Sequence, residues 1–360
     1  MKRTIKIVGT NIVLVIGVIV VAELLFGNWI FGPQYSFLNL PRNEKRYFDV
    51  SKFMSGQDLI QYTRDKHGLR GNYGGDPKNI DILVLGGSTT NERFLDDKST
   101  WVAQLGQRFF ESNHMFTIVN AGVEGQSTRG HIASFDLWFP NIPGLRPRYV
   151  IGYIGINDIA VGKDREQYDY MQSPDPVRRF RQYLVNHSVF YNHIRRFRGI
   201  LLARKTRLNH GANSYKLGKW VPVVKQIDLT QLKSDIKMQL NSYEERLRHL
   251  AQKIVKFGAE PIFVTQTRGD YRLKGKELYV LVDRGSTSTR FGPTDRGMRQ
   301  MALFNNITLS VCKDLDIFCI DLANDLKFKE TDFYDSVHTT PAGSKKIADY
   351  LFRELNGVLR

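Results

Sequence analysis

Apolar residues along this 360-residue chain follow two rhythms. In five short stretches, IDILVLG (80–86), FTIVNAG (116–122), YVIGYIG (149–155), EPIFVTQ (260–266) and DIFCIDL (316–322), they run almost without interruption. Continuous rather than alternating runs mark strands covered on both faces, as a parallel sheet between helices requires. Between these stretches apolar residues recur at helical intervals: TWVAQLGQRFFE after Thr100, LTQLKSDIKMQLNSYEERLRHLAQKIVKFG ending at Gly258, and RGMRQMALFNNITLSVCKDL. A last helix is expected through AGSKKIADYLFREL, with Thr340 as its N-cap and Pro341 in its first position. The alternation predicts an α/β protein, a three-layer α/β/α sandwich.

A third pattern opens the chain. From Ile7 to Phe26 about twenty residues are apolar except Asn11 and Glu23, enough to cross a bilayer core of roughly 30 Å. Lys2, Arg3 and Lys6 precede the run, so the positive-inside rule places the N-terminus in the cytoplasm and the residues after 32 outside it. A cleavable signal peptide competes, with Val20-Val21-Ala22 as a cleavage site. The apolar stretch is longer than a usual signal core and continues through LLFGNWIF, which favours a retained anchor. The expected organisation is an anchor over 1–32, an irregular lead-in over 33–79 rich in turn signals such as DKHGLRGNYGGDPKN, and one domain over 80–360.

The gap between the third and fourth apolar runs is too long for one crossover, so an insertion is expected at about 165–230. Residues 176–227 hold twelve Lys or Arg and no Asp or Glu, which accounts for most of the chain's net charge of +16. Val177, Phe180, Leu184, Phe190, Ile194, Phe197 and Leu201 recur there at helical spacing. Three readings stay open: a helical cap packing its apolar face on the domain, a basic face on anionic lipid headgroups, or a surface for an acidic polymer such as a uronate-containing glycan. Nucleic acid is not an expected partner of an anchored extracytoplasmic domain.

With 42% hydrophobic residues the chain is globular. Its two cysteines, Cys312 and Cys319, exclude a disulfide-built scaffold and are expected as buried thiols, one on a helix and one on a strand. No CxxC, HExxH or nucleotide-binding glycine motif is present, so neither metal nor cofactor is implied; His67, His114, His131, His187, His193, His210 and His249 show no ligand spacing.

The chemistry is therefore sought at the carboxyl ends of the strands, where open parallel sheets gather functional groups. These ends carry Gly86-Gly87-Ser88, Asn120-Ala121-Gly122, Gly155-Ile156-Asn157-Asp158 and Gln266-Thr267-Arg268, and Asp335 stands three residues before His338 soon after the fifth. A serine hydroxyl needs a base, and a neutral histidine of the right tautomer needs an acceptor on its other nitrogen; His338 and Asp335 suit these parts. The backbone N–H groups of Ser88 and Gly122 with the Asn157 amide would serve a developing oxyanion. Gln266 and Arg268 stand where they can contact a sugar or carboxylate.

In order and spacing, the blocks Gly-Gly-Ser-Thr, Asn-Ala-Gly, Gly-Ile-Asn-Asp and Asp-Ser-Val-His resemble the SGNH hydrolases, also called the GDSL esterase and lipase superfamily. The resemblance covers roughly residues 80–160 and 258–357. It implies a flavodoxin-like five-stranded sheet, Ser88 as nucleophile, Ser88, Gly122 and Asn157 as oxyanion donors, and His338 with Asp335 as base and orienting acid. One departure is that the family's Gly-Asp-Ser is here Gly86-Gly87-Ser88. The Gly-x-Ser-x-Gly of the α/β-hydrolases is not met, since position 90 is Thr.

The leading expectation is a membrane-anchored extracytoplasmic serine esterase that removes acetyl or other short acyl groups from a cell-envelope glycan or lipid. An O-acyltransferase using the same triad is the close alternative. A catalytically idle envelope scaffold is the alternative of another class, suggested by Gly87 and the large insertion.

Overall fold

The computed structural model describes residues 2–359 except 33–34, 36–37, 39, 52, 55–57, 162–168, 170–174, 192, 195–217 and 283–292. The chain divides into two compact units, Met1–Asn39 with Tyr170–Leu208, and Leu40–Asp169 with Asn209–Arg360.

In the smaller unit a 25-residue helix, Lys2–Phe26, contains the apolar stretch Ile7–Phe26, none of it buried. By length and composition this helix can cross a membrane, as an anchor or a signal sequence. The unit's second helix, Pro176–His187, begins the basic insertion. Of the amphipathic positions read from the sequence, Val177, Phe180, Phe190 and Ile194 are exposed, whereas Phe197 and Leu201 lie outside the described residues.

The larger unit is built on the expected sheet. Strands β3 (Ile82–Gly86), β4 (Ile118–Asn120), β5 (Tyr149–Tyr153), β7 (Glu260–Val264) and β10 (Phe318–Ile320) are all parallel, in the order β4-β3-β5-β7-β10. Renumbered along the sheet this is the flavodoxin-like order, with its switch point between β3 and β5. On one face Ile82, Val84, Ile151, Ile262 and Val264 meet Trp101, Leu105, Phe109, Ile347 and Leu351. Those side chains come from the helices Trp101–Glu111 and Pro341–Leu355, capped by Thr100 and Thr340, whose hydroxyls accept from Ala103 N and Gly343 N. The helices Thr128–Leu137, Lys237–Lys256 and Arg296–Leu315 form the third layer.

Four local features differ from the sequence reading. The lead-in is not irregular: β1 (Glu44–Asp49) and β2 (Leu59–Arg64) pair as an antiparallel hairpin, and Ile60, Tyr62 and Arg64 are buried on one side of it. Farther on, Arg70 bridges to Asn120 at the end of β4. Strands β6 (Lys219–Pro222), β8 (Tyr271–Lys274) and β9 (Glu277–Val282) make a second, antiparallel sheet. The long periodic run before Gly258 is two helices, Leu229–Asp235 and Lys237–Lys256, because Ile236 leaves the helical region at φ −111° and turns its side chain into the core. Cys312 and Cys319 are not separate thiols but a disulfide. Asp316, in the left-handed region at φ 53°, ends the helix and folds the strand back, bringing the two Cα atoms within 6.1 Å.

Candidate active site

Ser88 follows β3 directly and opens a single helical turn, Ser88–Asn91. The turn closes through Asn91 N donating to Gly87 O (2.9 Å) and Glu92 N donating to Ser88 O (2.8 Å). At both glycines before Ser88 a neighbouring side chain occupies the position a Cβ would take. A Cβ on Gly86 would lie 2.0 Å from Thr90 Oγ1, and one on Gly87 would lie 2.0 Å from Asn157 Nδ2. The place of the family's acid is thus taken by the Asn157 amide, which reaches over from the end of β5.

Asn157 Nδ2 donates to Gln126 O (2.9 Å), which leaves its second amide hydrogen for another acceptor. Its neighbour Asp158 is buried and receives Thr128 Oγ1 (2.6 Å) and Arg246 Nη2 (3.0 Å). Burial pushes the Asp158 carboxyl up against the pull of Arg246. At the end of β4, Gly122 N donates to Asn120 Oδ1 (2.8 Å), so this N–H, expected as an oxyanion donor, is engaged inside its own loop. Asn120 Nδ2 in turn donates to Thr90 O (2.6 Å) and locks that loop to the Ser88 turn.

Asp335 and His338 form a pair. Asp335 Oδ2 lies 2.6 Å from His338 Nδ1, and Oδ1 accepts from Val337 N (2.9 Å) and His338 N (2.7 Å). Burial alone would lower the imidazole, but the adjacent carboxylate overrides it and holds His338 at about 9. Burial likewise pushes Asp335 up, and His338 with the two backbone donors pulls it below the usual carboxylate range. The Tyr334 ring stacks on His338 at 5.6 Å and 10°. With Nδ1 on Asp335, a proton exchanged by the ring passes through Nε2.

Glu92, which no sequence motif singles out, joins the Ser88 turn to the loop that carries His338. Its backbone belongs to the Ser88 turn, while its side chain, 3% exposed, receives Thr339 Oγ1 (2.8 Å) and Ser344 Oγ on Oε1, and Trp101 N (2.7 Å) on Oε2. Burial raises this carboxyl to about 7 against those hydrogen bonds. An acid four residues after Ser88, the first charge after Asp81, was the available signal.

Two buried arginines of the lead-in brace the same loops. Arg64 donates to Asn91 Oδ1 (2.5 Å) and to the carbonyls of Gly122 and Gly68. Arg70 pairs with Asp97 (2.8 Å) and donates to Glu92 O (3.0 Å) and Leu95 O (2.6 Å). Gln266 is also internal at 1% exposure: its amide bonds Thr89 Oγ1 (2.9 Å), Tyr153 O (3.2 Å) and Ile156 N (2.7 Å), tying β7 to the neighbours of Ser88 and Asn157. Arg268 is paired with Asp270 through Nε (2.9 Å) and Nη2 (2.5 Å), and borders a cavity of about 320 Å³ lined also by Tyr271, Met301, Asn305 and Asn306.

Glu92 thus ties the Ser88 turn to Thr339, the residue after His338, and Gln266 ties the end of β7 to Thr89 in that turn and to the end of β5. Residues 84–346 match the GDSL-like lipase/acylhydrolase family model, so the chain belongs to that family, the SGNH hydrolases, and is a serine ester hydrolase. No curated protein matches it in sequence. Among solved structures it is similar to TesA (16% identity, covering 77% of this chain and 99% of that one, TM-score 0.41). It is also similar to a variant of the acetyl xylan esterase of Geobacillus stearothermophilus (16%, 76% and 93%, 0.41) and to the psychrotrophic esterase EstA of a Pseudoalteromonas species (13%, 77% and 97%, 0.42).

Proposed function

We propose that the protein is a membrane-anchored extracytoplasmic esterase that hydrolyses acetyl or other short acyl esters on a cell-envelope glycan or lipid, with Ser88 as nucleophile. The observation that carries this reading is the Asp335–His338 pair on the loop that Glu92 ties to the Ser88 turn. His338 Nε2 takes the Ser88 proton as Oγ attacks the ester carbonyl, and Asp335 holds the resulting imidazolium. The oxyanion receives the free Asn157 amide hydrogen and the Ser88 N–H at the start of its helical turn; Gly122 N–H joins them by leaving Asn120 Oδ1. His338 then protonates the leaving alcohol, and water, activated by the same imidazole, releases the acid and restores Ser88.

The exposed apolar helix Lys2–Phe26, with Lys2, Arg3 and Lys6 at its start, supports the anchored, outward-facing arrangement.

The test uses the full chain in detergent with p-nitrophenyl esters of increasing length. Ser88→Ala and His338→Ala should each remove nearly all turnover, and the double variant should lose little more, because nucleophile and base act as one unit. Near-additive losses would defeat the triad. A preference for long chains would reassign the substrate to lipid acyl esters, and diversion of the acetyl group to added alcohols would reassign the chain as an acyltransferase.

A further inference from the structure

The far end of the anchor helix and the start of the basic insertion are built into one joint, although about 160 residues separate them in sequence. Glu23, the lone acid of the apolar stretch, accepts from Ser188 Oγ (2.6 Å), Phe190 N (3.0 Å) and Val189 N (3.2 Å), and also from Trp29 Nε1 (2.6 Å). It therefore satisfies the free N–H groups where the chain restarts after the helix Pro176–His187. Asn28 adds two bonds, its N to His187 O (2.9 Å) and its Nδ2 to Asn186 O (2.8 Å). Gly27 permits the approach, since a Cβ there would lie 2.7 Å from His187 O.

The aromatic contacts of the joint point the same way. Trp29 meets Tyr183 edge-on at 5.9 Å and His187 at 5.5 Å, and Tyr183 stacks on His187 at 4.0 Å. A tryptophan just past the end of a twenty-residue apolar helix, with a tyrosine packed on it, is the pairing found at the bilayer–water boundary of a membrane span. The helical stripe that makes these contacts continues from Tyr183 back through Phe180 and Val177, which are 62% and 60% exposed. Arg179 and Arg181 flank it, also exposed. Residues 170–208 carry nine Lys or Arg against Asp175 alone.

We infer that the helix Pro176–His187 lies in the headgroup layer of an anionic phospholipid membrane, held at that depth by the Glu23–Trp29 joint, with Val177, Phe180 and Tyr183 toward the acyl chains and the arginines among the phosphates. An exposed apolar stripe continuous with a contact at the end of a membrane span has the lipid surface as its nearest cover, and the surrounding positive charge selects anionic headgroups. The inference rests on Ile7–Phe26 spanning the membrane.

The full chain with Phe180→Cys carries a single labelling site, because no other thiol is free. A fluorophore there, in nanodiscs of phosphatidylcholine and phosphatidylglycerol, should be quenched by lipids brominated near the headgroup and shielded from aqueous iodide. Shielding should fall roughly fivefold on changing to pure phosphatidylcholine or on introducing Arg179→Gln with Arg181→Gln. Glu23→Gln should also expose the label, while turnover of a small neutral ester stays unchanged in all these variants. Equal iodide access in every membrane overturns the inference, as does shielding brought about by a polyuronate in detergent, which would give the face to an acidic glycan. A parallel label at Val15→Cys reads the span itself: deep quenching there with the Phe180 position in water sinks only the inference, whereas no quenching at either position removes the span as well.

Discussion

Glu92 Oε1 receives the Thr339 hydroxyl at 2.8 Å, so the residue that closes the Ser88 turn also holds the residue next to His338. The carboxylate is a positioning device with a titration of its own, raised by burial to about 7. Replacing it by Gln retains an acceptor but loses the charge that helps to keep His338 protonated. Glu92→Gln should lower kcat about tenfold with little change in KM, and shift the acid limb of the pH–rate profile downward. Glu92→Ala strands the donors of Thr339, Ser344 and Trp101 and should lower stability by about 2–4 kcal/mol in urea unfolding. A purely structural role predicts the stability loss in Ala but an unmoved pH profile in Gln.

His338 makes activity and stability run in opposite directions with pH. As a general base it must be neutral, yet Asp335 outweighs burial and holds it at about 9. In wild type, kcat/KM should therefore rise with pH and level off only above about 9. The folded pKa lies above the unfolded value of about 6.5, so its contribution to stability is complete below that pH and is lost as pH rises through about 9. Urea midpoints should fall between these limits in wild type and fall less in His338→Gln. Asp335→Asn should return the limb toward about 6.5 and cut kcat by three to four orders of magnitude. A limb already near 6.5 in wild type contradicts the pairing.

Much of the sheet was legible because β3, β4 and β5 are buried along their whole length and announce themselves as unbroken apolar runs. Glycine, asparagine or aspartate at the ends of those runs marked the site blocks in order. What stayed hidden depends on partners far away in sequence. Arg64 and Arg70 stand in a turn-rich stretch where arginine ordinarily reads as solvated, and the carbonyls of residues 68, 91, 92, 95 and 122, with the side chains of Asn91 and Asp97, explain their burial. The hairpin strand LIQYTR alternates inward Ile60, Tyr62 and Arg64 with outward neighbours, but an inward arginine breaks the apolar signal. Gln266 ends a strand as a substrate contact would, and its amide also makes three internal bonds that no local pattern announces.

Arg64 ties the lead-in to the loops that carry Asn91 and Gly122. Its guanidinium is the donor to the carbonyl of Gly122 and to the side chain of Asn91, which itself donates to Glu124 (2.6 Å). Arg64→Met should cost at least about 1.5–3 kcal/mol, because charge-assisted bonds to buried acceptors are lost. It should also lower kcat more than it raises KM if the Gly122 loop shapes the oxyanion site. Urea unfolding and steady-state kinetics on the same preparation separate the two effects. Unchanged stability would mean that the hairpin is dispensable.

The last prediction concerns the glycine that replaces the family's acid. Gly87 has φ −86°, outside the left-handed region, and the demand for glycine that space makes there comes from Asn157, whose Nδ2 occupies the position a Cβ would need. Gly87→Ala forces that amide aside and breaks its bond to Gln126 O. The cost to folding is limited to one hydrogen bond, about 1 kcal/mol, but the displaced amide no longer meets the oxyanion. Activity should therefore fall toward that of Asn157→Ala, roughly a hundred- to a thousand-fold in kcat with KM largely kept, the usual loss for one oxyanion donor. Adding Gly87→Ala to Asn157→Ala should then cost little further, since the group it displaces is already gone. Independent losses in the double variant, or full activity in Gly87→Ala alone, would show that Asn157 has no part in stabilising the transition state.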